Sequence, residues 1–168
     1  ANLPYNIATP ILFRILHEAN DGRVLRDATL MLQREVADRL LAEPGTADYG
    51  ALTIQVQLLA EVTPVLKLPP GAFRPSPKVH SAVVRLRFRA PVVDVGDRAS
   101  FERLVRGLFL RRRKTLLNAL KPVTDAFGSS APEVIERAGV DGRRRPETLS
   151  LDEMARLASC AIVFAGNH

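Results

Sequence analysis

Residues 81–89, SAVVRLRFR, alternate apolar and basic side chains along most of their length. Alternation with a period of two is typical of a half-buried β-strand, with one face on a core and the other toward solvent. The apolar face would carry Val84, Leu86 and Phe88, and the basic face Arg85, Arg87 and Arg89. Two apolar runs nearer the start, residues 28–32 and 62–68, predict further strands, so we expect a small sheet.

Helical patterns surround these predicted strands. One helix is predicted to begin at Thr9-Pro10, an N-cap followed by a proline at the first helical position, and others cover residues 33–41 and 52–59. Residues 52–59 also fit a strand. After a linker at residues 91–97 only helices are predicted, at about 100–110, 114–120, 131–138 and 150–164, the last with a capping box of Ser150 and Glu153. We therefore expect an α/β part over residues 1–95 and a small all-α domain over residues 96–168.

Positive charge is concentrated toward the end of the chain. The 168 residues have a formal net charge of +6. Residues 1–97 contain 11 Lys and Arg against 10 Asp and Glu, whereas residues 98–168 contain 13 against 8. A basic domain favours a polyanionic partner, most often a nucleic acid, although a solvated surface gives the same count.

Several classes of protein find no support in the sequence. No apolar run approaches about 18 residues, so no transmembrane helix is predicted, and the first residues lack a signal-peptide pattern. The single cysteine, Cys160, forms no internal disulfide. His17, His80 and His168 lack ligand spacing, so we expect no metal site. These features predict a cytoplasmic protein.

The segment Asn2-Leu3-Pro4-Tyr5 contains the groups needed to methylate an aromatic amine. The lone pair of an exocyclic amine is delocalised into its ring, so the nitrogen is a poor nucleophile. The Asn2 side-chain oxygen and the Pro4 carbonyl could accept its two N–H groups and favour the pyramidal amine, whose lone pair is free. Tyr5 could stack on the base. Asn and Pro are also turn residues, so an ordinary turn is the alternative.

Residues 73–79, FRPSPKV, form a second candidate site. Pro75 and Pro77 restrict the backbone to a stiff, extended loop that would hold Phe73 in a fixed position. Phe73 could stack on a base, a contact worth ~1–3 kcal/mol, and Arg74 and Lys78 could bind phosphates. The alternative is a proline-rich connection whose Phe73 fills the core.

Four consecutive cations form the strongest local charge, and they are Arg111, Arg112, Arg113 and Lys114. If each neutralised one phosphate of a duplex, the affinity would fall with salt at a log–log slope of about −0.9 for each. The alternative is a solvated helix end whose cations face the negative end of the helix dipole. A second run, residues 143–145, lies beside Gly142 and Pro146 in a predicted loop and has the same two interpretations.

Together these blocks resemble the ribosomal RNA adenine N6-dimethyltransferases. Asn2-Leu3-Pro4-Tyr5-Asn6-Ile7 is similar to the catalytic motif of that family. Residues 31–36 (MLQREV), Tyr49-Gly50 and residues 73–86 follow in the family's order, and Phe109 with residues 111–120 (RRRKTLLNAL) is similar to its C-terminal helical domain. The resemblance covers nearly the whole chain. It is strongest to the bacterial small-subunit enzymes, which dimethylate two neighbouring adenines near the 3′ end of the rRNA.

The resemblance implies the second half of a Rossmann-like, S-adenosylmethionine-dependent methyltransferase domain, followed by a small helical rRNA-binding domain. Asn2 and the Pro4 carbonyl would hold the target amine, with Asn2 also beside the methionine end of the cofactor. Tyr5 and Phe73 would sandwich the adenine after it leaves its stack. Arg74, Lys78 and residues 111–114 would bind RNA. The implied partner is the small-subunit rRNA of a pre-ribosomal particle, and the implied enzyme is a monomer without a metal.

The family's glycine-rich cofactor loop and its acidic ribose ligand should precede Asn2, and the sequence does not contain them. We therefore expect the sequence as it stands to bind no cofactor and to have little or no activity, the activity belonging to a longer parent protein. Two other interpretations stay open. One is a non-catalytic RNA-binding or ribosome-assembly factor, and the other is a resistance-type adenine methylase of large-subunit rRNA.

Overall fold

The computed structural model describes residues 1–4, 7–20, 25–126 and 128–163, which form an α/β fold. The chain divides into two compact units. The first consists of Ala1–Ala42 and Gln55–Val92, and the second consists of Glu43–Ile54 and Val93–His168. The helices and strands are α1 (Ala8–Asn20), β1 (Asp27–Gln33), α2 (Arg34–Leu41), α3 (Ala51–Leu59), β2 (Ala60–Leu68), β3 (Ser81–Phe88), α4 (Arg98–Phe109), α5 (Leu116–Asp125), α6 (Ala131–Ala138) and α7 (Leu151–Val163).

The first unit is built on an antiparallel sheet in which β3 is the central strand, between β1 and β2. Val84 and Leu86 of β3 are fully buried, whereas Arg85 and Arg87 are exposed, which confirms the alternation predicted for this strand. β2 is an edge strand that contains Pro64 and a register shift after it. A proline and a bulge are tolerated at an edge because they interrupt only the outer row of hydrogen bonds, and they also discourage pairing with another chain.

The helices α1, α2 and α3 agree closely with the sequence pattern. α1 begins at Ala8, one residue before the predicted N-cap, and buries Leu12 and Leu16. The strand alternative for residues 52–59 is wrong, since this segment is helical. The Gln57 side-chain amide donates to the carbonyls of Leu40 and Ala42, both at 3.1 Å, and so joins α3 to the end of α2.

The second unit is a cluster of short helices around a leucine-rich core. Its fully buried side chains include Phe101, Leu104, Leu108, Leu116, Leu120, Val134, Met154 and Leu157. The predicted capping box is confirmed, because the Ser150 N–H donates to Glu153 at 2.8 Å and the Glu153 N–H donates to the Ser150 hydroxyl at 3.2 Å. α5 runs past the predicted end at residue 120 and contains Pro122. Burial of the following residues, Val123 and Thr124, outweighs the loss of one helical hydrogen bond at the proline.

A segment from the middle of the chain, Glu43–Ile54, packs with these helices rather than with the sheet. Tyr49 is 2% exposed, donates its hydroxyl to the Leu149 carbonyl at 2.8 Å, and meets Phe109 edge to face at 6.0 Å between ring centroids. Burial raises the pKa of Tyr49 to about 12, and the negative charge of Glu153 adds to the shift. The predicted domain bounds, 1–95 and 96–168, stay a prediction. In the structure, the second compact unit contains Glu43–Ile54 in addition to the helices after residue 92.

Tyr49→Phe is expected to destabilise the helical unit by about 1–2 kcal/mol at neutral pH, because it leaves the buried Leu149 carbonyl without its donor. The effect should depend on pH. Folding raises the pKa of Tyr49 above its unfolded value of about 10, so the stabilisation is complete below that pH and is lost as the pH rises toward about 12.

The measurement is the free energy of unfolding in urea between neutral pH and about pH 11.5. The unsubstituted chain should lose stability more steeply than Tyr49→Phe over the alkaline part of this range. Two parallel curves would show that Tyr49 does not titrate with folding.

Candidate active site and nucleic-acid interface

The first residues of the chain form a short parallel stub beside β1. The Met31 N–H donates to the Ala1 carbonyl at 2.9 Å, and the Leu3 N–H donates to the Met31 carbonyl at 3.3 Å. This isolated parallel bridge pairs Asn2 with Met31. Directly paired residues of neighbouring strands project to the same face of a sheet, so the side chains of Asn2 and Met31 share a face. Asn2 is exposed, whereas Leu3 is buried.

The Pro4 carbonyl is held by the turn that leads into α1. It accepts a hydrogen bond from the Ile7 N–H at 3.1 Å, one residue before the helix begins. A carbonyl oxygen has two lone pairs, so this bond fixes its direction and leaves one acceptor position. Tyr5, the remaining residue of the predicted motif, lies outside the described residues.

Phe73 is carried by the loop between β2 and β3. Pro70–Ala72 forms a 3₁₀ turn, after which the Phe73 N–H donates to the Pro70 carbonyl at 3.2 Å. The Ser76 hydroxyl donates to the same carbonyl at 2.9 Å, so the loop is closed on both sides of Phe73. The Arg74–Pro75 peptide bond is cis. Arg74 and Lys78 are both exposed.

One cleft of about 240 Å³ joins the stub to this loop. We call it the Asn2–Phe73 cleft, and its walls are Asn2, Leu3, Pro4, Met31, Phe73, Pro75 and Pro77. The volume is below the ~300–1,000 Å³ of sites for drug-sized ligands. Phe73 is half-buried at the cleft wall, so it does not fill the core as the alternative interpretation held. The structure thus brings together Asn2, Pro4 and Phe73, which the sequence analysis had selected in two separate motifs.

The lining of the cleft consists of apolar, aromatic and amide side chains. Among these residues, Asn2 carries a side-chain amide oxygen, Pro4 a backbone carbonyl oxygen and Phe73 an aromatic ring. None of its seven lining residues is titratable. A group in this cleft would therefore be held by hydrogen-bond acceptors and stacking rather than by charge.

Arg111, Arg112, Arg113 and Lys114, which we call the basic turn, follow the C-terminal end of α4. All four side chains are exposed, and Arg112 donates to the Ala47 carbonyl at 3.0 Å. Within the described part of the chain, none of the four forms an ion pair with a carboxylate. Leu110, immediately before them, is 83% exposed. The basic turn is thus a patch of uncompensated positive charge.

The second arginine run has a different environment. Arg143 bonds to Asp141, which holds the pKa of that carboxyl below its usual range, and Arg145 lies 3.9 Å from Glu147. Arg144 binds both carboxylate oxygens of Glu153. Burial alone would raise the pKa of Glu153, but hydrogen bonds from Arg144 and Ser150 outweigh it and lower the pKa. Each arginine of this run therefore has an acidic partner that neutralises it locally.

Met31 is the cleft residue that the sequence analysis did not select for a role. It was noted only as part of a block similar to the family, because its position in the cleft depends on pairing with Asn2 along the stub. Among the described residues, no group of three or more His, Cys, Asp or Glu side chains could hold a metal ion. No helix in that part of the chain is long and apolar enough to cross a bilayer.

Comparison with known proteins gives relatives over nearly the whole chain. The small-subunit ribosomal RNA methyltransferase A of Geobacter metallireducens is 47% identical over 99% of this chain and 60% of its own length. Its counterpart in Bacillus mycoides is 43% identical over 97% of this chain and 56% of its own length. The chain thus spans a little over half the length of these curated relatives.

Two solved structures have a similar fold. The crystal structure of a dimethyladenosine transferase from Plasmodium falciparum matches 94% of this chain and 63% of its own, with a TM-score of 0.78 and 28% identity. The 23S rRNA methyltransferase ErmE matches 95% of this chain and 62% of its own, with a TM-score of 0.61 and 26% identity. Residues 1–161 also match the family described as ribosomal RNA adenine dimethylase. By this match and by its curated relatives, the chain belongs to the ribosomal RNA adenine dimethylase family.

Proposed function

We propose that this chain is the adenine-binding and rRNA-binding part of a small-subunit rRNA adenine N6-dimethyltransferase. The reaction would transfer methyl groups from S-adenosylmethionine to two neighbouring adenines near the 3′ end of the rRNA. The observation that carries the proposal is the Asn2–Phe73 cleft, whose lining brings together Asn2, Pro4 and the aromatic Phe73. The curated relatives named small-subunit methyltransferases support the small subunit as the target, since they are 42–47% identical, whereas ErmE is 26% identical.

The catalytic contribution of this chain would be to prepare the amine. The Asn2 side-chain oxygen and the free lone pair of the Pro4 carbonyl accept the two N–H groups of adenine N6 and stabilise the pyramidal form. Phe73, with Tyr5 as its proposed partner on the other face, stacks on the base after it leaves its helix. The absence of a titratable side chain from the cleft wall is compatible with this chemistry, because a methylated ammonium is acidic and releases its proton to water.

The residues of this chain fit the methyl-bearing end of S-adenosylmethionine better than its nucleoside end. Asn2 is exposed at the cleft, where an amide can contact the methionine part and the target amine together. Across the described ranges, no glycine-rich turn links a strand to a helix in the manner of a nucleotide site. When bound, the cofactor supplies an electrophilic methyl group. The sheet would belong to a Rossmann-like domain, and the parallel pairing of the stub with β1 supports this assignment.

The rRNA would be held by cations outside the cleft. Residues 96–168 would form the rRNA-binding domain, with the basic turn as its contact to RNA. Residues 1–95 would form the target-adenine side, where the exposed Arg74 and Lys78 would bind phosphates near the base. Backbone phosphates position a nucleic acid and the cleft selects the base, so the two functions are separable. The proposed partner is the pre-ribosomal small subunit, the enzyme acts as a monomer, and a cytoplasmic location follows from that partner.

Asn2→Ala is expected to lower methyl transfer by on the order of 10²-fold or more, because one of the two acceptors of the amine is lost. The test uses a chimaera of the Geobacter metallireducens relative in which this chain replaces the matching 60% of that protein. Transfer of labelled methyl groups to unmethylated small subunits is measured beside rRNA affinity, with Asn118→Ala, another exposed asparagine, as the matched control. Affinity should change by no more than a few-fold. Equal loss of transfer and affinity would contradict the proposed role of Asn2.

The double variant Arg111→Gln with Arg113→Gln is expected to weaken binding of this chain to an rRNA fragment that carries the target adenines. The slope of log affinity against log salt should become shallower by about 1.4–1.8, since each phosphate contact contributes ~0.7–0.9. The matched control is Arg143→Gln with Arg145→Gln, which removes the same charge from arginines that have acidic partners. If both double variants change the slope equally, the basic turn has no special role.

A further inference from the structure

Met31 is the one flexible apolar side chain on the wall of the Asn2–Phe73 cleft that is not needed for another role. Among the seven lining residues, three are prolines, Phe73 stacks on the base, Asn2 is polar, and Leu3 is buried at 7% exposure. Met31 is half-buried and faces the same side of the sheet as Asn2, its direct partner. Its N–H and carbonyl both bond to the stub, so its side chain stays beside Asn2.

Dimethylation gives the cleft two different amines to bind. In the first transfer, adenine N6 carries two N–H groups, one for each of the two acceptors. In the second, one of these hydrogens has been replaced by a methyl group, which cannot donate a hydrogen bond. A methyl group aimed at a carbonyl or amide oxygen displaces water without replacing its hydrogen bond, so the bound monomethyl amine needs an apolar surface beside the acceptors.

We propose that Met31 is the specificity-determining residue that receives the first methyl group and so permits the second transfer. This inference rests on the proposed function and names the group that separates mono- from dimethylation in that same cleft. Methionine suits the role because its unbranched thioether has three rotatable bonds and adapts to groups of different size. A β-branched residue in this position would have a more restricted χ1 angle and so would adapt less.

The second transfer then proceeds with the first methyl group against Met31 and the remaining N–H on one acceptor. The N6 lone pair forms the new nitrogen–carbon bond while the carbon–sulfur bond of the sulfonium breaks and its electron pair stays on sulfur. The dimethylated ammonium releases its last proton to water, which leaves the neutral dimethylamine. Met31 takes no part in bond making and acts by positioning the nitrogen.

The contact can be observed on this chain without any methyl transfer, because it contains two methionines. Met31 lines the cleft, whereas Met154 is fully buried among the helices and serves as an internal reference. With ¹³C-methyl-labelled methionine, the Met31 signal should shift saturably on titration with N6-methyladenosine and less with adenosine, while the Met154 signal stays in place. Met31→Leu assigns the two signals. A Met31 signal that does not respond, or that responds equally to both nucleosides, would overturn the proposal.

The functional consequence is tested with Met31→Ile in the same chimaera. After partial reaction with small subunits, the ratio of N6-methyladenosine to N6,N6-dimethyladenosine should rise severalfold, because the stiff side chain hinders the monomethyl amine more than adenine. Met31→Leu should give a ratio close to that of the unsubstituted chimaera. A role limited to packing would slow both transfers alike and leave the ratio unchanged, which would overturn the inference. A chimaera that methylates nothing would count against the proposed function, whereas the nucleoside titration still decides the contact at Met31.

Discussion

Two backbone hydrogen bonds at Met31 fix the register on which the candidate site depends. They give Asn2 one position along β1 and one face of the sheet. A slip of one residue would move the Asn2 side chain to the opposite face of the sheet, away from Met31, since side chains alternate along a strand. A group that binds a reacting amine must be held within about 0.5 Å, and the paired backbone fixes the position from which the Asn2 side chain extends. The bond from the Ile7 N–H likewise fixes the direction of the Pro4 carbonyl, the second proposed acceptor.

The walls of the cleft combine rigid and adaptable groups, and the proposed reaction needs both. Pro4, Pro75 and Pro77 have fixed φ angles and hold the outline of the base site. The ring of the substrate does not change during dimethylation, so a rigid outline suits it. The amine does change, from two hydrogens to one and then none, and the adaptable thioether of Met31 lies on the side of the cleft where Asn2 would bind it. In the proposed complex, the rigid prolines thus surround the ring, which stays constant, and the adaptable Met31 lies beside the amine, which gains methyl groups.

Local patterns are sufficient to predict the elements that depend on local chemistry. The alternation of residues 81–89 predicts β3, and the spacing of Ser150 and Glu153 predicts the start of α7. The extension of α5 through Pro122 could not be predicted, because burial of later residues decides it. The same holds for Tyr49, whose hydroxyl bonds to a carbonyl 100 residues further along the chain. The proximity of Asn2 and Phe73 was expected from the family resemblance rather than from any local pattern. Met31 was not selected for a role, because its pairing with a residue distant in sequence leaves no local signal.

The two arginine runs show why a count of charges does not by itself identify a binding surface. Both runs lie between helices of the same unit and both contain three arginines. Asp141 and Glu147 lie close in sequence to the second run, but the strongest partner, Glu153, reaches Arg144 from the first turn of α7. The paired guanidinium groups of the second run are already neutralised locally, whereas among the cations of the basic turn only the Arg112 bond to the Ala47 carbonyl competes with a phosphate within the described part of the chain. Of the two runs, residues 111–114 therefore carry the charge that no carboxylate offsets within the described residues, and Arg144 stabilises the turn that leads into α7 through its bonds to Thr148 and Glu153.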